Sequence, residues 1–168
     1  MPTPFPHPPY AEDQPLAHLI LTTHVLHRGF QLGAGIGYLA GITRSFLKPA
    51  CSSSPPPPPP PPLLPLPPTA IGAVVGMSLS GLALPVAMWG KTLVEWQDRS
   101  WRLLESEGQG LVDSWSLGGM VLGVAVGVWG LGIGKVVVRG LSVLVGGAGI
   151  GCLGGLVGLV AWRGVYRL

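Results

Sequence analysis

The side chains best suited to chemistry stand early in the chain, in "PLAHLILTTHVLHRGFQLGAGIGYLAGI". His24 and His27 are one helical turn apart, His18 lies about two turns before His24, and Arg28 adjoins His27. Imidazoles at that spacing can ligate a metal or pass protons. A metal centre wants three or four convergent ligands with supporting hydrogen bonds, and only two of these histidines can converge. A proton relay inside a membrane is normally built with carboxylates, and no acidic residue is expected inside a span. His24, His27 and Arg28 therefore read as a contact for lipid headgroups or a neighbouring subunit. Two glycine motifs fail as nucleotide sites. "GIGCLG" (149–154) matches G-x-G-x-x-G, but no strand precedes it, so the βαβ context of a dinucleotide site is missing. "GIGKV" has Trp129 where a phosphate loop needs its first glycine and Val136 where it needs Ser or Thr. No catalytic, cofactor-binding or metal-ligating residue is expected.

The elements that carry these residues follow from composition. The chain of 168 residues is 48% hydrophobic and 10% charged, with 27 glycines and a mean hydropathy of +0.51; soluble domains usually carry about a quarter charged residues. No Asp, Glu, Lys or Arg occurs from Ser114 to Gly134 or from Gly140 to Trp162. Each stretch is long enough to cross about 30 Å of hydrocarbon as a helix. The expected fold is an all-α integral membrane protein, a four-transmembrane-helix bundle with a short amphipathic helix in its central loop. An extended N-terminal segment (1–13) leads into a long first helix (14–47) with Arg44 snorkelling to the interface. A proline-rich linker (48–69) precedes a second span (70–90). A charged amphipathic loop (91–116) leads to a third span (117–138), a fourth (140–163) and a tail (164–168).

Glycine supplies the expected glue. Lipid offers no hydrophobic drive for helix association, so close backbone approach through small residues takes its place. Gly33, Gly37 and Gly41 recur every four residues in the first span, and Gly72, Gly76 and Ser80 in the second. Gly119, Gly123 and Gly127 do so in the third, and Gly147, Gly151 and Gly155 in the fourth. These Gly-xxx-Gly ridges are the expected packing faces.

The linker holds eight consecutive prolines, Pro55 to Pro62, a stiff polyproline II spacer of roughly 25 Å. In the central loop, Glu95 with Arg99 and Asp98 with Arg102 are spaced as i,i+4 pairs, with Leu93, Trp96 and Leu104 on the opposite face. Five acids against three bases there disfavour adhesion to anionic lipid, so a protein partner, or simply the headgroup zone, is expected. Trp89, Trp96, Trp101, Trp115 and Trp162 fall at expected span ends, as an aromatic belt would. Lys and Arg divide six to four between the two sides of a four-span topology, which does not orient it. The opening "MPTPFPHPPYAEDQP" has two acids and no base, unlike a secretory signal or an Arg-rich transit peptide, so no cleavable presequence is expected. Cys51 and Cys152 form no evident pair.

Four short helices with tandem glycine registers and a polar central loop resemble the Tim17/Tim22/Tim23 group of mitochondrial inner-membrane proteins. More specifically, "DQPLAHLILTTHVLHRGFQLGAGIGYLAG" with "GGAGIGCLGGLVGLVAWRGVYR" is similar to a family of small fungal membrane proteins. That family includes an accessory subunit of respiratory complex I, often called the X subunit of its membrane arm. The likeness covers about residues 12–47 and 70–168; the proline run departs from it. It implies a multi-pass, non-catalytic subunit of the mitochondrial inner membrane that supports assembly or stability of the membrane arm of NADH:ubiquinone oxidoreductase. Its partners would be other membrane-arm subunits and the bilayer, with no nucleic acid and no small-molecule substrate. The alternative it leaves open is a component of an inner-membrane protein translocase. His24, His27, Arg28 and Trp96 are the expected contact residues. Arg163 and Arg167 are expected to hold a phospholipid headgroup such as cardiolipin, and no other cofactor is expected.

Overall fold

The structure is a computed structural model that describes residues 5–47, 65–131 and 133–166. Among these residues all regular structure is helical. A 3-10 turn, Ala11–Asp13, precedes α1 (Ala17–Phe46), α2 (Leu66–Ala87), α3 (Leu93–Glu105), α4 (Glu107–Leu131) and α5 (Ile133–Tyr166). The proline run and Cys51 lie outside the described residues, as do Lys48 and Arg167.

Local sequence sets the ends of these helices. α1 starts after Leu16, held in the left-handed region at φ 57°. α2 places Pro67 in its first turn, where a missing N–H leaves nothing unsatisfied, and it tolerates Pro85 near its far end. Gly90, at φ +71°, turns the chain into α3. There Glu95 Oε2 accepts the Thr92 backbone N–H at 2.9 Å, as in a capping box. Because that cap turns Glu95 back toward the helix start, its ion pair is with Lys91 at 2.8 Å rather than with Arg99. Asp98 and Arg102 pair at 3.0 Å.

Among the described residues three helical segments are long and apolar enough to cross a membrane: Leu66–Ala87, Glu107–Trp129 and Gly140–Val165. α1 is not among them, since His18, His24, His27, Arg28, Gln31 and Arg44 dilute its hydropathy. The bounds differ from the sequence expectation on the C-terminal side. Residues 107–116, expected in the charged loop, are the first turns of α4, with Glu107 at its positive end. α4 stops at Leu131, and Gly140, at φ 34° and ψ −112°, breaks α5 where the next apolar segment begins.

The helices associate as two antiparallel pairs, α1 with α2 and α4 with α5, and α5 rests on α2 and α1. In the first pair a Cβ on Gly33 would strike the backbone of Gly72, and one on Gly72 would strike that of Gly33. Gly29 faces Gly76 and Ser80, Gly37 faces Pro68 and Thr69, and Gly41 faces Pro65 and Pro68. In the second pair Gly119 faces Gly151, Gly123 faces Gly147, and Gly155 meets the Trp115 backbone. Gly127 is looser, since a Cβ there would stand 3.4 Å from the Val143 side chain. Where the pairs meet, Gly149 abuts Thr69 and Ala34, and Phe30, Ala34, Ala73, Ala148 and Cys152 form a small-residue core. "GIGCLG" is thus helical and packed.

Candidate functional site

No Cα atom of α1 lies within 8 Å of one in α4. Long polar side chains span the gap. Arg28 donates through Nη1 to Gln31 Oε1 at 2.8 Å and through Nη2 to Gln109 Oε1 on α4. Its Nη2 also lies 3.0 Å from Asp113 Oδ1, close enough for an ion pair. That buried oxygen has no aligned hydrogen bond. His24 Nδ1 is 3.4 Å from Asp113 Oδ2, and its Nε2 faces Arg28 Nε at 3.4 Å. Lower on the same face, His27 Nε2 is 2.8 Å from both Gln31 Nε2 and Ser116 Oγ.

These bonds order one another. Because the guanidinium takes Gln31 Oε1, the amide presents N–H to His27 Nε2. That ring nitrogen is then the acceptor and the proton sits on Nδ1, an assignment made from the network. Ser116 Oγ also reaches the Asp113 carbonyl oxygen at 3.0 Å. α1 is 30 residues long, about 45 Å at 1.5 Å per residue. It exceeds a hydrocarbon core of roughly 30 Å. Asp113 lies about two turns into α4.

A second polar seam joins the N-terminal segment to α3. Trp101 Nε1 donates to the Pro8 carbonyl at 2.9 Å, Gln97 Nε2 to the Glu12 carbonyl at 2.7 Å, and buried Gln14 donates back to the Pro6 carbonyl at 2.9 Å. His18 stacks on Trp96 with ring centroids 4.2 Å apart. Between α1, Phe5 of the N-terminal segment and the α3–α4 junction is a cavity of about 520 Å³. His24, His27, Gln109 and Asp113 line it together with Ile20, Leu104 and Leu117.

The chain matches no protein-family model, no curated protein and no solved structure.

The geometry places the expected contact residues differently from one another. His24, His27 and Arg28 come together and reach residues of α4. Trp96 packs on His18 and beside Leu21, Leu84 and Met88. Arg163 stands in the last turn of α5, and Arg167 lies outside the described residues. Trp89 is 85% exposed, as an interfacial ring would be, whereas Trp115 and Trp162 pair at 6.2 Å. Gln31, Gln109, Asp113 and Ser116 complete the network and were not expected from the sequence. Gln31 carried a signal, being four residues after His27 and three after Arg28 on one helical face. Among the described residues no group of three His, Cys, Asp or Glu side chains is placed to hold a metal ion.

Proposed function

We propose that this protein is a non-catalytic, four-span subunit of a larger membrane assembly, packed through its glycine ridges. The observation that carries this reading is the distribution of apolar surface. Leu32, Ile36 and Leu39 of α1 are 61–69% exposed. They face outward just as Leu82 of α2, Val121 of α4 and Val160 of α5 do. A helix with Arg28 turned onto α4, Arg44 left at its far end and bulky aliphatic side chains turned outward suits a lipid or subunit environment along its middle. α1 therefore joins the three more apolar segments as a span. His24, Arg28, Asp113 and Ser116 help hold α1 to α4.

The specific assembly we propose is the membrane arm of mitochondrial NADH:ubiquinone oxidoreductase. The support is the resemblance of the first and last spans to its fungal accessory subunit, and Arg163 would hold a headgroup such as that of cardiolipin. Blue-native electrophoresis of gently solubilised mitochondria, with the tagged chain detected beside an in-gel NADH dehydrogenase stain, tests it. Co-migration with the NADH-active band is expected. Migration in a smaller import complex would replace this reading with the translocase one.

A further inference from the structure

The cavity beside the α1–α4 network has a composition that selects a ligand. Its charged lining residues among those described are Glu107 and Asp113, with no Lys or Arg. Two of its polar side chains present donors: His27 through Nδ1–H, and Gln109 through the amide nitrogen, because the Gln109 oxygen is taken by Arg28. Ile20, Leu104 and Leu117 make the opposing wall apolar. In the proposed four-span arrangement the cavity lies at headgroup depth, and an exposed carboxylate next to neutral donors, over an aliphatic wall, complements a zwitterionic amphiphile. An ammonium would be held by Glu107, since Asp113 is already paired with Arg28 and His24, a phosphate or ester oxygen by His27 and Gln109, and an acyl chain by the wall. Hydrogen-bond donors on the ammonium suit carboxylate acceptors better than a methylated head does.

We infer that this cavity binds an ethanolamine phospholipid. The inference needs the membrane location but not the proposed assembly, so the purified full chain tests it alone. Gly110 lines the cavity, and a Cβ placed there meets nothing within 4 Å. Gly110→Leu therefore fills the site without pressing on the backbone, whereas Asp113→Asn also weakens the helix network.

The experiment reconstitutes the chain in nanodiscs of equal dioleoylphosphatidylethanolamine and dioleoylphosphatidylcholine and counts retained lipids by native mass spectrometry. The expected result is one ethanolamine lipid per chain, enriched roughly tenfold over choline lipid as one charge-assisted hydrogen bond would provide. That enrichment is lost in Gly110→Leu at unchanged helicity and reduced in Glu107→Gln. Equal retention of the two lipids would overturn the inference, as would enrichment that survives Gly110→Leu. In a third arm, replacing the choline lipid by dioleoylphosphatidylglycerol, preferred retention of the anionic lipid would overturn it too.

Discussion

Arg28 and Asp113 stand 85 residues apart in sequence, each about 30% exposed, and meet at 3.0 Å across a gap the backbones never close. Removing one partner leaves the other half-buried without its counter-charge, so Arg28→Gln or Asp113→Asn alone should cost about 1–3 kcal/mol. The double variant should cost clearly less than the sum, because the orphaned charge is gone; denaturant unfolding in detergent reads both. Leu16 is simpler. A non-glycine residue in the left-handed region costs roughly 1–2 kcal/mol, and Leu16 is 55% exposed, so little packing offsets it. Leu16→Gly should raise the melting temperature, and a lowered one would show that its side chain matters more than its backbone. The sequence made His24, His27 and Arg28 visible through their spacing. It hid Asp113, Gln109 and Ser116, because helical periodicity reports neighbours three or four residues away and not those eighty away. Asp113 was further disguised by glycines and acids between Ser106 and Gly110, a composition that reads as loop in water.

Helix crossings respond to one atom. A Cβ at Gly33 or Gly123 would collide with the backbone of Gly72 or Gly147. Gly33→Leu and Gly123→Leu should therefore each destabilise by about 3 kcal/mol or more. Gly154 has nothing within 4 Å. Gly154→Ala should be neutral or about 0.5–1 kcal/mol more stable through helix propensity. Thermal scans of the three variants separate crossing glycines from merely frequent ones. α3 carries a pH signature. The Lys91 hydrogen bond, then the Thr92 N–H, hold the Glu95 carboxyl below the ordinary glutamate range. Its contribution is thus complete above the unfolded value and is lost as pH falls through the lower folded one. Hydrogen exchange should show the first turn of α3 fraying at acid pH, and Glu95→Gln should abolish that dependence. Helix existence was legible here from apolar runs and the four-residue registers. Ends were less so: the start of α4 and the break at Gly140 depend on which turns find partners, which composition does not report.

For the whole molecule, the proposed four spans put Cys51 and α3 on opposite faces of the bilayer. An impermeant maleimide should reach Cys51 from one side only, and an introduced Arg99→Cys thiol only from the other, with Cys152, 0% exposed, silent to both. Labelling of both from one side would return α1 to a non-spanning place. The long backbone seams lie within α1–α2 and within α4–α5. Between the pairs the close backbone approach is local, at Gly146 of α5 over Leu66 of α2, with side chains bridging elsewhere, and Gly90 sits in the intervening turn with nothing packed where a side chain would be. The molecule is therefore divisible. Two separately translated halves, 1–90 and 91–168, should each insert as a hairpin and find one another again in the bilayer. Gly90 marks the place where a single gene could become two without loss of the folded product.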